Sequence, residues 1–211
     1  KKVERTSNRP LVSKKVSLKE AVLLLFLLLL CSFLILINFS FNAVISGLVS
    51  LPLIILYPLM KRYTHWPQIF LGLIFNWGVI IVLVEFFNFI NYDLLILYIG
   101  CIFWTLAYDT IYAYQDRMDD IKSNIKSTAI LFGSKGGIVV KFFYNIFFVS
   151  IAYLGFKSSG SNVSLIVIII FIFAINIYLN KWKIESASSS NYYFKFNNLI
   201  GLFCFCFLLM F

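Results

Sequence analysis

Charged residues are scarce in this chain, since only 13% of its 211 residues are Asp, Glu, Lys or Arg and 61% are hydrophobic. A soluble domain usually has about 25% charged and about 45–50% apolar residues. The shortage of charge therefore excludes an ordinary soluble globular domain. The mean hydropathy of +0.91 agrees with that exclusion.

Cysteine is also rare, and its spacing excludes a cysteine-ligated zinc site and a disulfide-stabilised fold. All four cysteines lie inside apolar runs, with neither a zinc-ligand spacing nor a disulfide framework. We interpret them as small buried hydrophobic residues: Cys31, Cys101, Cys204 and Cys206. The net charge of +9 would suit a nucleic-acid-binding protein, but in a membrane protein an excess of Lys and Arg reports orientation.

Long apolar runs are what the sequence has in abundance. A membrane-spanning helix needs roughly 20 predominantly apolar residues. Seven such segments follow one another, at approximately 20–38, 41–60, 67–90, 93–114, 137–156, 163–180 and 197–211. We therefore predict an all-α fold, a polytopic transmembrane helical bundle.

Local signals refine the boundaries of three segments. Ser17 followed by Glu20 predicts a capping box at the start of the first segment. Pro52 and Pro58 predict a kink or a local end in the second. Pro67 occupies an N1-like position, where its missing N–H costs nothing. The first helix should thus follow Ser17, and the third should begin at Pro67.

The basic residues predict the topology. If seven helices alternate, all but two of the 18 Lys and Arg residues lie on one side of the membrane, in residues 1–19 and in the gaps 61–66, 115–136 and 181–196. This asymmetry supports the helix count and predicts that the charged loops are cytoplasmic.

Negative charge gathers in YDTIYAYQDRMDD, residues 108–120. On a helix of about 100° per residue, Asp109, Asp116 and Asp120 share one stripe with Tyr112 close beside them. A charge near the bilayer centre costs about 2.5–3.5 kcal/mol on insertion scales, so an ionisable residue there suggests a function. Mg²⁺ is commonly held by one or two carboxylates together with substrate phosphates. The stripe therefore predicts a site for Mg²⁺ and a diphosphate.

The alternative for these carboxylates is a solvated acidic loop neutralised by the neighbouring Lys and Arg residues. That interpretation suits Asp119, or Asp120 alone, about as well as a metal site does. It explains poorly why Asp109 and Asp116 occur together at the end of an apolar run.

Two basic stretches share the predicted side of the aspartates: RTSNRPLVS, residues 5–13, and YPLMKRYTHWPQ, residues 57–68. Arg can bind phosphate through two parallel hydrogen bonds, and Lys supplies a point charge. The candidate phosphate-binding residues are Arg9, Lys61, Arg62 and, less strongly, Arg5. The positive-inside rule alone explains why Lys and Arg occur on this side of the membrane. It does not explain why they lie so close together in these two stretches. We interpret His65, the single histidine, as a hydrogen-bonding loop residue.

Four separate motifs resemble those of one known family. D-x-x-Y-A-x-x-D-x-x-x-D, formed by Asp109, Tyr112, Ala113, Asp116 and Asp120, resembles the second aspartate-rich motif of the UbiA-type intramembrane aromatic prenyltransferases. RTSNRPL, YPLMKRYTHWPQ and IKSTAILFG resemble the branch of that superfamily that prenylates 4-hydroxybenzoate in ubiquinone biosynthesis. The resemblance covers the whole chain in order and spacing.

The resemblance implies a nine-helix bundle with a central cavity open to lipid, in the bacterial inner membrane. It implies Mg²⁺-dependent transfer of a polyprenyl group from polyprenyl diphosphate to the ring of 4-hydroxybenzoate, ortho to the hydroxyl. The implied metal ligands are Asp109, Asp116 and Asp120, and the implied catalytic residues are Asp109, Asp116, Lys61 and Arg62. The implied substrate-binding residues are Arg5, Arg9, Asn76, Tyr112, Asp120 and Lys122.

The chain departs from the family pattern at two places. A first motif, N-D-x-x-D-x-x-x-D, normally precedes the R-T-x-x-R-P-L string, and this sequence lacks it. We therefore expect residues 1–211 to be one prenyltransferase domain without its first two helices and half of its metal site. Met118 stands where relatives often have an additional Asp, and we expect little effect because it lies off the stripe.

Several alternatives stay open from the sequence. The acceptor could be homogentisate or a naphthoate, and a truncated chain could be an inactive remnant. A cation channel or transporter predicts acidic residues in several segments, whereas here they concentrate in one. Asn76 and Trp77 are weak pocket candidates for which packing is the favoured role, and Glu85 is expected near the far interface.

Overall fold

The computed structural model describes residues 9–87 and 91–210, and every regular element in that part of the chain is helical. The α-helices are α1 (Leu18–Leu36), α2 (Phe41–Tyr63), α3 (Pro67–Phe75), α4 (Gly78–Phe86), α5 (Tyr92–Gln115), α6 (Arg117–Lys122), α7 (Thr128–Phe132), α8 (Gly136–Ser159), α9 (Asn162–Leu179) and α10 (Ala187–Met210). A 3₁₀ turn, Gly133–Lys135, joins α7 to α8.

Within the described residues, seven helical spans are long and apolar enough to cross a membrane. They are Leu18–Leu36, Phe41–Tyr63, Pro67–Phe86, Tyr92–Gln115, Thr128–Ser159, Asn162–Leu179 and Ala187–Met210. The predicted all-α, polytopic class with seven spans is therefore confirmed. The chain is an integral, multi-pass membrane protein.

The local signals at helix boundaries are mostly confirmed. Ser17 Oγ accepts from the Glu20 N–H at 3.3 Å and the Ser17 N–H donates to Glu20 Oε2 at 2.7 Å, which is the predicted capping box. Pro67 is the first residue of α3. Of the two alternatives predicted for Pro52 and Pro58, the local end is wrong, because α2 continues through both residues, and the kink stays a prediction. In a membrane bundle, neighbouring groups can satisfy the backbone that a proline leaves free.

The third span differs from the prediction of one continuous helix. It is divided at Asn76 and Trp77 into α3 and α4. Asn76 Nδ2 donates to its own helix at Gly72 O (2.8 Å) and across to Cys101 O on α5 (3.2 Å). An amide that bonds nearby carbonyls competes with the helical hydrogen bonds, and here it favours the break. Residues 88–90 of the predicted segment lie outside the described residues.

The last helix begins ten residues earlier than the segment predicted from residue 197, at Ala187. Ser186 caps it, since Ser186 Oγ accepts from the Ser189 N–H at 3.2 Å. The intervening residues are more polar than a spanning segment, so hydropathy alone excluded them although they continue the same helix.

The core lies between α5 and α8. Leu106 and Ile111 of α5 and Phe147 and Ile151 of α8 are all buried there. Stacked rings extend the core to α9 and α10, with the Phe171 and Phe203 centroids 3.6 Å apart. At the periphery, α1 has no buried residue. The fold therefore places α5 at the centre, where its side chains can reach several neighbouring helices.

Three of the predicted charged gaps meet at one end of the bundle. The Lys126 N–H donates to Lys61 O at 2.9 Å, which joins the loop after α6 to the end of α2. The Tyr114 and Trp182 rings are 5.2 Å apart, which brings the loop after α9 to the same end. At the opposite end, Lys157 Nζ lies 2.8 Å from Asp93 Oδ1. We call the end of the bundle at which the three charged loops meet the loop end.

Candidate active site

Two neighbours from other helices hold Asp109, which lies in α5 near the loop end. Its carboxylate hydrogen-bonds to the Gln68 side chain and lies within electrostatic range of the Lys61 ammonium. Lys61 belongs to the last turn of α2, and Gln68 is the second residue of α3. Three helices thus bring a carboxylate, an ammonium group and an amide together, and this set includes the predicted pair Asp109 and Lys61.

Gln68 is a site residue that the sequence analysis missed. It is 1% exposed, and its Oε1 accepts from the Thr128 N–H at 3.4 Å. Because the amide oxygen takes this bond, the amide nitrogen is the group that donates to Asp109. The available signal was an isolated amide directly after Pro67 in an otherwise apolar helix.

Replacing Gln68 with Leu should lower both stability and activity. The Asp109 carboxylate and the Thr128 N–H would each lose a partner in a buried setting, which costs about 1–3 kcal/mol per group. Thermal unfolding in detergent and the initial rate of the reaction proposed below measure the two effects. Gln68→Glu keeps the acceptor for Thr128 but places a second negative charge beside Asp109. If Gln68→Glu retains full activity, orientation of Asp109 is not the role of Gln68.

The single helix predicted over residues 108–120 is interrupted at Asp116. α5 ends at Gln115 and the separate helix α6 begins at Arg117. The Asp116 N–H donates to Ala113 O at 3.3 Å, an i→i−3 bond typical of a tightened last turn. The continuous stripe is therefore a wrong prediction beyond this point. Asp120 nevertheless follows one turn later, since its N–H donates to Asp116 O at 2.8 Å.

The described residues contain no group of three His, Cys, Asp or Glu side chains that could hold a metal ion. Asp116 is half-buried and Asp120 is 7% exposed. Mg²⁺ that is bound together with substrate phosphates needs only one or two protein carboxylates. Two aspartates one turn apart at the loop end fit that donor set, and their role as metal ligands stays a prediction.

A cavity of about 430 Å³ lies along α5, on the side of Asp109 away from the loop end. Its lining residues are Phe75, Asn76, Trp104, Thr105, Tyr108, Phe194, Asn197, Asn198, Gly201 and Leu202. This size lies within the range of small-molecule pockets, which are mostly apolar with a few placed polar groups. The cavity therefore has the volume and the lining of a ligand site.

Polar groups are fixed in the cavity wall by hydrogen bonds between helices. Asn76 Nδ2 donates to Thr105 Oγ1 at 2.9 Å. Asn197 Oδ1 accepts from Trp104 Nε1 at 2.7 Å and from the Tyr144 hydroxyl at 3.1 Å. Asn76 thus lies in the wall, whereas Trp77 donates its indole N–H to Ser46 O. The substrate-binding role of Asn76 stays a prediction.

Aromatic side chains connect the cavity to the aspartates. Trp104, Tyr108 and Tyr112 recur every four residues on α5, and Asp116 continues that spacing. Ring centroids are 5.9 Å apart for Trp104 and Tyr108, and 4.8 Å apart for Tyr112 and Phe194 of α10. The sequence analysis missed Trp104 and Tyr108, although their spacing from Asp116 was a readable signal. One face of α5 therefore combines an aromatic wall with the acidic loop end.

The remaining predicted residues are less closely associated with Asp109. Arg62 and Lys122 are exposed at the ends of α2 and α6, both at the loop end. Arg9 is exposed and lines a groove against α1, and no contact joins its side chain to the aspartates in the described part of the chain. Arg5 lies outside the described residues. The predicted phosphate-binding roles of Arg5, Arg9 and Arg62, and the implied substrate-binding role of Lys122, stay predictions.

Sequence comparison places the chain among known proteins. It is 47% identical over 132 residues to the 4-hydroxybenzoate octaprenyltransferase of Marinomonas sp. (strain MWYL1), over 62% of this chain and 46% of that relative. It is 43% identical over 133 residues to the mitochondrial 4-hydroxybenzoate polyprenyltransferase of Drosophila pseudoobscura pseudoobscura, over 63% of this chain and 34% of that relative. The chain thus matches less than half the length of each of these two relatives.

A third comparison covers more of both proteins. The chain is 34% identical over 200 residues to the 4-hydroxybenzoate octaprenyltransferase of Xylella fastidiosa (strain M23), over 95% of this chain and 67% of that relative. No solved structure matches the chain significantly. The UbiA prenyltransferase family matches over residues 1–206. Since that match covers nearly the whole sequence, the chain belongs to the UbiA prenyltransferase family.

Proposed function

We propose that this chain contributes the active site of a 4-hydroxybenzoate polyprenyltransferase. The observation that carries the proposal is the arrangement along α5, in which the cluster of Lys61, Gln68 and Asp109 adjoins an aromatic cavity of about 430 Å³. A charged end suits a diphosphate, and an aromatic cavity suits a prenyl chain and an aromatic ring. The three relatives named for this activity support 4-hydroxybenzoate as the acceptor.

Lys61 and Arg62 are proposed to bind the phosphate oxygens of polyprenyl diphosphate. Both lie in the last turn of α2, and the positive charge of Lys61 interacts with the Asp109 carboxylate. A carboxylate held in place by Gln68 would in turn orient the ammonium. Arg62 is exposed, so it is also available to the carboxylate of the benzoate.

We propose Mg²⁺ as the cofactor, held by Asp116 and Asp120 together with the phosphate oxygens of the substrate. Asp109, the third ligand that the resemblance implies, forms no three-carboxylate group with them in the described part of the chain. When bound, the ion would neutralise the negative charge that develops on the departing diphosphate. The loop end contains both positive and negative side chains. Phosphate oxygens bound there would contact the ammonium and guanidinium groups at the end of α2, and these groups lie beside the aspartates of α5 and α6.

The aromatic wall is proposed to protect the reactive carbon. Cleavage of the bond between the prenyl C1 and the diphosphate oxygen leaves an allylic cation. The rings of Trp104, Tyr108 and Phe194 line the cavity, and aromatic faces attract cations. The ring carbon ortho to the hydroxyl then bonds to C1 and loses its proton. An apolar wall also keeps water from capturing the cation.

The excess of Lys and Arg at the loop end favours a cytoplasmic position for the site. Two of the relatives come from bacteria, and we propose the bacterial inner membrane as the location.

An acceptor competition tests the proposed function. Membranes containing the protein receive geranyl diphosphate, Mg²⁺ and equal concentrations of 4-hydroxybenzoate, homogentisate and 1,4-dihydroxy-2-naphthoate. We expect prenylated 4-hydroxybenzoate to exceed each other product at least about tenfold, which corresponds to about 1.4 kcal/mol of discrimination. Liquid chromatography with mass spectrometry quantifies the products. A different preferred acceptor would reassign the substrate, and cation flux without any prenylated product would favour a transporter.

A further inference from the structure

A second cavity, of about 780 Å³, lies at the loop end. Its lining residues are Arg117, Ser134, Trp182, Lys183, Ile184, Glu185 and Ser186. It shares no lining residue with the cavity beside Trp104, and it includes none of the residues assigned above to the prenyl-transfer site. This second cavity therefore needs an explanation of its own.

Arg117, one of the lining residues, is held over the ring of Tyr114. Its guanidinium carbon lies 5.7 Å from the centroid of the Tyr114 ring. Tyr114 packs edge-on against Trp182 at 5.2 Å, and its hydroxyl donates to Gly133 O at 2.6 Å. Trp182 in turn donates its indole N–H to Ser190 Oγ at 3.0 Å. The cavity is thus built from three fixed segments, α5–α6, the 3₁₀ turn and the loop before α10.

The Nε–H group of Arg117 is buried and has no hydrogen-bond partner among the described residues. A buried donor without an acceptor costs free energy, and the cost is larger for a charged group. Arg117 also lines the cavity with the more exposed part of its side chain, so an anion bound there would offset the charge of this partly buried guanidinium. The partly buried guanidinium therefore points to a ligand that carries oxygen atoms and negative charge.

One helix N-terminus adds to the positive character of the cavity. Ser186, a lining residue, immediately precedes α10, whereas Ser134 lies in a 3₁₀ turn inside the continuous helical span Thr128–Ser159. The N-terminus of a long helix carries a partial positive charge and is a favourable place for a phosphate. Lys183 supplies a full positive charge, while Glu185, which is exposed, opposes it. With Arg117 included, cationic groups outnumber the single carboxylate in the lining.

We propose that this cavity binds a phosphate group, with Arg117 and Lys183 as its charged ligands. Two sources carry that chemistry at the end of membrane-spanning helices: the head group of an anionic lipid and a free phosphate in solution. Trp182 and Ile184 give the cavity an apolar side, and tryptophan is enriched where membrane meets water. The cavity includes none of the residues proposed to bind the diphosphate, although Arg117 directly follows Asp116, and its ligand does not depend on the proposed reaction.

Direct binding to the purified chain in neutral detergent tests the proposal. The probes are inorganic phosphate, dioctanoyl phosphatidylglycerol and, to control for the acyl chains, dioctanoylglycerol, with affinities measured by isothermal titration calorimetry. Arg117→Gln removes the charged donor and Lys183→Gln removes the second charge. Lys195→Gln is the matched control, because Lys195 is an exposed residue of α10 outside the cavity. Thermal unfolding of each variant without ligand establishes that it is folded.

We expect Arg117→Gln to weaken binding about tenfold, Lys183→Gln to weaken it less, and Lys195→Gln to leave it unchanged. Binding of phosphatidylglycerol alone assigns the site to a lipid head group, and binding of inorganic phosphate alone assigns it to a soluble anion. If neither probe binds, or if both cavity variants bind as Lys195→Gln does, the proposal is overturned. Because Lys183 is exposed, its variant keeps the test decisive even if Arg117→Gln does not fold.

Discussion

Replacing Asp116 with Asn is expected to lower prenyl transfer at least about 100-fold while the protein remains in the membrane. A hundredfold loss corresponds to about 2.7 kcal/mol of transition-state stabilisation. Asn keeps the shape of the side chain but removes the charge proposed to hold Mg²⁺, and the backbone bonds of Asp116 to Ala113 and Asp120 are unaffected. The rate of product formation and the amount of protein in washed membranes measure the two parts of the prediction.

Asp119→Asn is the matched control for this experiment. Asp119 lies in α6, three residues after Asp116, and its replacement removes the same charge, but it is not among the proposed metal ligands. We expect it to retain activity within about twofold, as surface substitutions usually have small effects. Wild-type turnover in Asp116→Asn would contradict the metal assignment. Equal losses in both variants would indicate that the overall negative charge of the loop matters, rather than one ligand.

Replacing Gly100 with Leu is expected to prevent α5 from packing against α8. A Cβ atom at Gly100 would overlap Ser150 Oγ and lie 2.8 Å from Ser150 Cβ and 3.7 Å from Phe147 Cδ2. The hydroxyl can rotate away, but the Cβ atom of Ser150 moves only with its backbone. Overpacking typically costs 1–3 kcal/mol and occasionally more, and at this central interface we expect about 3 kcal/mol. Unfolding in denaturant, followed by circular dichroism, measures the loss.

Gly78→Leu provides the control for helix propensity and hydrophobicity. Gly78 begins α4, and a Cβ atom there would meet nothing within 4 Å. Because Leu favours helix by up to about 1 kcal/mol over Gly, stability should stay the same or rise. If Gly78→Leu is destabilised as strongly as Gly100→Leu, close packing between α5 and α8 is not the cause.

The helical class and the number of spans could be predicted because the bilayer fixes the length of an apolar run. The capping box at Ser17 and the helix start at Pro67 depend on residues adjacent in sequence, so they were also predictable. The break at Asn76 was not, because the Asn76 side chain bonds to Cys101 and Thr105 on another helix. A local pattern contains no information about such a contact.

The residues of the candidate site also fall into those that the sequence could predict and those that it could not. Asp109 was predicted from a charge in apolar surroundings and Lys61 from a basic string on the same predicted side of the membrane, and in the structure their charges interact. Asn197 was missed because its partner Trp104 is 93 positions away, and an amide in an apolar segment does not reveal its partner. The stripe that ends at Asp116 was overextended, since a constant 100° per residue cannot anticipate a tightened turn.

The attachment of the Lys126 backbone to α2 lowers the conformational entropy that the loop between α6 and α7 would lose when a ligand binds. Lys126 is bonded through its N–H to Lys61 O at 2.9 Å and through its ammonium to Tyr63 O at 3.1 Å. The segment between α6 and α7 is thereby ordered by folding itself. Fixing the backbone of one free residue costs about 1–2 kcal/mol, so ordering such a segment on binding would cost several kcal/mol of affinity. The diphosphate proposed to bind at Lys61 would meet a preorganised loop, so little of its binding free energy would be spent on restricting the chain.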